Sequence, residues 1–209
     1  MKTWESDHPK AKLMARKRAD ILAAAKKSFL ETGYEGTSME SIAKAADVSI
    51  MTLYRHAETK DDLFSAVIAD ACDPADEDHK AEFEALMRKP LSEILVTVGI
   101  HAQQKWADPD TIALMRTVMA ETVRFPHLSE MAYASLVGQF ETAVADILHR
   151  NDETKSLDAA HRRRLAGQFL DGLIGSDMFR VLLGLSGTTQ AEQERRARTA
   201  SDELTSQIK

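Results

Sequence analysis

The stretch TSMESIAKAADVSIMTLYRHAETK, Thr37 to Lys60, decides how the rest of the chain is read. Thr37 stands three residues before Glu40, a T-x-x-E pattern in which each side chain satisfies an orphan N–H of a helix start. Ile42, Ala43 and Ala46 follow as a narrow apolar stripe at helical spacing. Asp47 falls where the chain must turn, and aspartate tolerates left-handed backbone better than most side chains. Val48 returns to the core, and Ser49 is placed to cap a second helix, Ile50 to His56. Thr59 can cap a third, with Asp61 and Asp62 in its first turn, where the helix dipole favours negative charge. Short helix, tight turn and short helix make a helix-turn-helix.

Outward from this unit the apolar period stays helical. The spacing predicts a polar arm over the first twelve residues, then a first helix from about Lys12 to Thr32, with Ile21, Leu22, Ala25 and Phe29 inward. Gly33 ends that helix in left-handed backbone, and Tyr34 folds back as a plug. A linking helix, 59–72, carries Leu63, Phe64, Val67, Ile68 and Ala71 on one face. The segment DPADEDHK breaks the period and marks a domain boundary, with residues 1–60 and their linking helix on one side and 73–209 on the other. Beyond it we expect helices near 76–88, 91–106, 109–123, 128–150, 157–185 and 190–207, prolines standing at starts and gaps. The last, with a mostly polar face, is expected to pack peripherally or fray. The fold class is all-α.

Composition agrees. The chain has 209 residues, 44% hydrophobic and 29% charged, as in an ordinary globular protein. No apolar run approaches the ~18 residues of a membrane span, and MKTWESDHPK has no signal-peptide core, so a cytoplasmic location is expected. Cys72 stands alone, which excludes an internal disulfide. The seven histidines are scattered, with no H-E-x-x-H and no paired cysteine, and neither G-x-S-x-G nor a phosphate-cradling glycine loop occurs. We therefore expect no enzyme, no metal and no cofactor.

The net charge of −6 divides unevenly. Residues 1–60 hold eleven Lys and Arg against eight Asp and Glu, and the remainder sixteen against twenty-five. The basic surplus gathers at Lys10, Lys12, Arg16, Lys17 and Arg18, with Lys26 and Lys27 beyond. A basic head on an acidic body fits a nucleic-acid binder. The second helix of the motif is about two turns long, so its N-terminal residues Ser49, Met51 and Thr52 are the ones to reach base edges, with Arg55 one turn on. Met51 suits a thymine methyl group; Arg55 suits guanine or a phosphate. Lys44 offers a further backbone contact.

The run IAKAADVSIMTLYRHAETKDDL resembles the DNA-binding signature of the TetR (tetracycline-repressor-like) family, roughly I-A-x-x-A-G-V-S-x-x-T-L-Y-x-H-F-x-x-K-x-x-L. Ile42, Ala43, Ala46, Val48, Ser49, Thr52, Leu53, Tyr54, His56, Lys60 and Leu63 match in register, while Asp47 and Ala57 depart. The resemblance implies that Tyr54, His56, Lys60, Thr37 and Ser38 grip the DNA backbone. It also implies a C-terminal domain that binds a small-molecule effector and joins two copies into a homodimer on a near-palindromic operator, most simply as a repressor released by its ligand.

Two segments bear on those expectations. Ala134, Gly138, Thr142 and Ala145 line one face of helix 128–150, and Gly167, Gly172 and Gly175 interrupt a helix that is apolar most of the way round. Such a helix needs cover on every side, so these seven residues are expected at the dimer interface. His101, Gln104, Trp106, Met115, Met119 and Phe125, with Phe83 and Tyr133, suit an effector pocket, an apolar lining with a few polar groups. Met and aromatic residues at this spacing also make plain core. A protein of the same fold that binds or bridges DNA without an effector stays open as the alternative.

Overall fold

The computed structural model describes residues 9–72 and 77–208, and its regular structure is all helical. The expected polar arm as far as residue 8, and residues 73–76 of the expected boundary segment, lie outside the described residues. In chain order the helices are α1 Pro9–Gly36, α2 Met39–Ala45, α3 Ile50–Tyr54, α4 Lys60–Cys72, α5 Glu77–Leu86, α6 Leu91–Trp106, α7 Pro109–Glu121, α8 Pro126–Tyr133, α9 Gln139–Arg150, α10 Ala159–Ile174, α11 Asp177–Leu182 and α12 Gln190–Ser206. No helix among the described residues is long and apolar enough to cross a membrane.

The chain forms two compact units, and the division is not one cut in the sequence. Residues up to Ala71 cluster with Arg116–Ala132, and Cys72–Met115 cluster with Tyr133–Lys209. In the first unit α1 extends past its expected end. Gly33 takes the left-handed conformation (φ 73°) that its position demands, and one more turn follows it. That break turns Tyr34 into the core, where its ring packs on Phe29, Phe64 and Phe125 at centroid separations of 5.9, 5.2 and 5.1 Å. The Tyr34 hydroxyl donates to Asp61, and His127 Nε2 lies 3.1 Å from Asp61 Oδ2. Arg124 forms a two-pronged pair with Glu35. Residues 116–132, read from the sequence as part of the second domain, thus pack with the first because Phe125, Arg124 and His127 meet the end of α1 and the start of α4.

The second unit is built on close helix approach. Gly99 on α6 and Gly172 on α10 have no side chain where one would collide: a Cβ at Gly172 would stand 2.9 Å from the Cβ of Ala200, and one at Gly99 2.9 Å from Leu173 and 3.2 Å from Ala197. α12 fills that space with Ala197, Ala200, Ser201 and Leu204, all buried. Gln103 Nε2 donates to the Gln193 carbonyl at 2.9 Å, and Ser201 Oγ to the Ser92 carbonyl at 3.2 Å. The expectation that this last helix frays is therefore wrong. Its polar residues cover one face, and its small residues, invisible to a search for large apolar ones, form the seam.

The helix expected over 157–185 is likewise two. Gly175 (φ 54°) breaks it, and Arg196 donates to the final carbonyls of α10, Leu173 and Ile174, at 3.3 and 3.0 Å while pairing with Asp177. The expected helix 128–150 runs from Pro126 through α8 and α9, joined by a wider turn, Ala134–Gly138, in which the Gln139 N–H reaches back five residues to the Ala134 carbonyl. Such widened turns inside helices are frequent at functional sites.

Candidate nucleic-acid interface

Asp47 makes the turn between α2 and α3 in left-handed backbone (φ 52°), and the Val48 N–H closes onto the Ala43 carbonyl at 3.0 Å. Ser49 then caps α3, its Oγ accepting from the Thr52 N–H at 3.1 Å and lying 2.8 Å from the Thr52 hydroxyl. α3 is five residues long and turns Leu53 wholly inward. Its other face is open, with Met51 65% exposed and Tyr54 and Arg55 exposed beside it. Lys44 is exposed on α2. Ser49, Met51, Tyr54 and Arg55 thus share an uncovered surface anchored by one buried leucine, while the Thr52 hydroxyl is engaged at the cap.

The groups expected at the backbone are disposed less freely. Thr37 does not cap α2. It is buried, its hydroxyl donates to the Gly33 carbonyl at 2.7 Å, and it sits 2.8 Å from the Thr32 hydroxyl. The cap belongs to Ser38, which accepts from the Ser41 N–H while Ser41 Oγ accepts from the Ser38 N–H, both at 3.1 Å. The capping box therefore lies one residue beyond Thr37 and Glu40, because the end of α1 claims the threonine. Lys60 is half-buried, and its ammonium donates to the carbonyls of Tyr34 and Thr37 at 2.8 and 3.0 Å, 4.3 Å above the Tyr34 ring. An ammonium has three donors, so these two carbonyls leave one of them untaken. Burial lowers the Lys60 pKa, and Glu121 opposes that shift. His56 is half-buried, and its pKa falls below the usual histidine value through burial first, then through the charges of Arg18 and Lys17.

Two family models match the chain. The one described as bacterial regulatory proteins, tetR family, covers residues 21–67, the head with its helix-turn-helix. The AefR-like transcriptional repressor C-terminal domain covers 93–203, more than half of the chain. The chain belongs to the TetR family of transcriptional regulators. Its members are DNA-binding transcription factors, not enzymes. Solved structures agree along its length. A TetR-family regulator from Mesorhizobium loti, 23% identical, aligns over 92% of this chain and 96% of its own with a TM-score of 0.70. The flavonoid-responsive regulator FrrA, 28% identical, covers 92% and 97% at 0.66. Salmonella enterica GusR, 25% identical, covers 98% and 99% at 0.50. No curated protein sequence matches the chain.

In this TetR-family chain the residues expected in an effector pocket divide between the two units. Met119 and Phe125 belong to the first unit and the other six to the second. Phe83, His101, Gln104 and Tyr133 are exposed, Met115 is half-buried, and Trp106 is buried. Trp106 lines a hollow of about 40 Å³ in the second unit, with Gln103, Leu173, Met178, Val181 and Arg196. The polar members of that lining lie on faces otherwise read as core or solvent, so nothing in their spacing singles them out. The expected dimer residues divide too. Ala134 and Thr142 are exposed, Ala145 is half-buried, and a side chain at Gly138 would meet open space. Gly172 and Gly175 instead serve the chain's own packing on α12, and a Cβ at Gly167 would stand 3.4 Å from Glu141.

Proposed function

We propose that this regulator is a homodimeric repressor that holds a near-palindromic operator through α3 and leaves it when a small molecule binds the second unit. The open edge of α3, with Met51 and Arg55 exposed over a buried Leu53, carries the reading. Met51 and Arg55 read base edges; Ser38, Lys44, Tyr54, His56 and the third donor of Lys60 hold phosphates. The uncovered face that runs from Tyr133, 64% exposed, through Ala134 and Gly138 to Thr142 on α9 supports pairing with a second copy over about 2,000 Å². Release follows from linkage: a ligand that prefers the conformation with misplaced heads weakens DNA binding by its differential affinity. The likeness to a flavonoid-responsive regulator supports planar aromatic compounds as first probes.

Selection of bound sites from a random DNA pool tests this reading. A two-fold symmetric consensus is expected, and Met51→Ala or Arg55→Ala should relax one base pair in each half-site at a cost of about 1–3 kcal/mol. A pool that yields no consensus would count against it.

A second reading has one observation in its favour. The hollow of about 40 Å³ is far below the ~300–1,000 Å³ of small-molecule sites. A member of this fold that binds DNA without an effector would need no larger space. Thermal-shift screening with aromatic acids and polyphenols separates the two, because a ligand that raises the melting temperature and releases DNA requires the cavity to open.

A further inference from the structure

We propose that the hollow beside Trp106 is the seat of a small aromatic monocarboxylate, with Arg196 as its anchor and α11 as the flap that admits it. The inference deepens the effector reading of the second unit and rests on it for the ligand's role, not for its binding. Gln103 and Trp106, three residues apart on α6, both line the hollow and are 6% and 9% exposed. The Gln103 amide gives its hydrogens to the Gly99 and Gln193 carbonyls, and its oxygen receives no donor from the described residues. The Trp106 indole, whose ring meets Phe140, likewise donates its N–H to none of them. Buried polar groups are nearly always bonded, so an acceptor and a donor left unbonded at one hollow point to a guest. Leu173, Met178 and Val181 supply an apolar wall, and Trp106 a flat one.

The charge at the site decides the ligand class. Arg196 Nη1 donates to the Leu173 and Ile174 carbonyls at 3.3 and 3.0 Å, and a Cβ at Gly175 would stand 3.2 Å from that nitrogen. The end of α10 therefore holds the guanidinium whatever its Nη2 does. Nη2 pairs with Asp177, the first residue of α11, and both side chains are only 26% exposed. Removing that carboxylate alone would leave a partly buried cation unpaired, which is costly. Replacing it with a ligand carboxylate keeps the charge balanced. Asp177 is not stranded by the exchange, because Arg180 Nε on the same helix lies 4.0 Å from it. α11 is also built to move. None of its six residues is buried, and left-handed glycines flank it, Gly175 at φ 54° and Gly184 at φ 85°. Segments with few buried contacts open at low free-energy cost. A hollow of about 40 Å³ holds roughly three waters, so a ring enters as α11 lifts Met178 and Val181 away from Trp106.

The chain has two tryptophans, and Trp4→Phe leaves Trp106 as the one whose fluorescence reports on the hollow. Benzoate and 4-hydroxybenzoate, each with its amide as the neutral control, are titrated into this full-length protein at millimolar concentration. The acids should shift Trp106 emission and saturate. The amides should bind at least about tenfold more weakly, having no charge for Arg196. Asp177→Asn removes the competing carboxylate and should tighten binding of the acids about tenfold while leaving the amides unchanged. Such a gain of affinity does not arise from a damaged fold. Equal affinity for acids and amides, no response to any probe, or an Asp177→Asn variant that binds the acids no better would each overturn the proposal and leave the effector reading standing. Saturable binding that leaves affinity for the selected operator unchanged would instead uphold the site and sink the effector reading.

Discussion

Two runs of this chain, Thr37-Ser38-Met39-Glu40 and Thr189-Gln190-Ala191-Glu192, carry the same capping pattern and fold differently. Before α12 the pattern closes as written: Glu192 Oε2 accepts from the Thr189 N–H at 2.8 Å, and Thr189 Oγ1 accepts from the Glu192 N–H at 3.3 Å. Before α2 it does not. The Thr37 hydroxyl turns to the Gly33 carbonyl, the Thr37 carbonyl receives Lys60, and the box moves on to Ser38 and Ser41. What differs is the competition nearby. α1 breaks at Gly33, four residues before Thr37, which leaves carbonyls without helical partners. The end of α11 makes no such demand on Thr189, because the N–H groups of Leu183, Gly184 and Leu185 already take its carbonyls. A local pattern holds where no tertiary group outbids it.

The largest test asks whether the closed box or the packing holds α12 in place. We expect the packing to dominate. A leucine at Gly172 must push its Cβ against the Ala200 Cβ, 2.9 Å away on the facing helix, so one of the two helices has to shift. Gly172→Leu should cost about 3 kcal/mol in chemical denaturation, the upper end for an overfilled core. A loss under about 0.5 kcal/mol, the range of a neutral surface change, would show that α12 is not seated at this seam.

The same contrast explains how much of the molecule is legible in the sequence. In the head, single residues have single jobs at fixed spacing. Ser49 caps, Asp47 turns, Gly33 breaks and Tyr34 plugs, and each does so in the structure. The exposed face of α3 is legible for the same reason. Lys60 is legible only in part, because a lysine between two carbonyls and an aromatic ring has the same letter as one facing a phosphate. In the second unit the informative residues are those with little or no side chain. Gly99, Gly172, Ala197 and Ala200 define the α6–α10–α12 seam, yet small residues give no signal in a periodicity built on large ones. The glycines of α10 do mark close packing, but sequence alone does not say whether the partner helix belongs to the same chain or to another copy.

A finer test compares the two threonines. Valine keeps the shape of threonine and removes its hydroxyl. At residue 37 the change strips a buried group of its bond to the end of α1, and should cost about 2 kcal/mol. At residue 189 it removes one exposed cap and should cost about 1 kcal/mol. Only the first should also weaken DNA binding, since it loosens the junction that sets α2 and α3 on α1. Equal losses at the two positions, with DNA affinity untouched by Thr37→Val, would mean that Thr37 is an ordinary surface cap.

The smallest effect belongs to the closed box itself and is read with pH. Glu192 has its carboxyl held below the ordinary value of 4.5, first by the Thr189 backbone N–H and then by the Thr189 hydroxyl. A folded-state pKa below the unfolded one means that the unfolded chain takes up its proton at higher pH. The contribution is therefore complete above about 4.5 and is lost as pH falls through the lower, folded value. Glutamine in its place still accepts from the Thr189 N–H but does not titrate. Denaturation midpoints of wild type and Glu192→Gln should differ at neutral pH in favour of the wild type, and the gap should close on acidification below 4.5. A gap that stays constant across that range would show that the carboxylate adds nothing as an anion to the start of α12, and that the seam through Gly172 and Ala200 holds the helix alone.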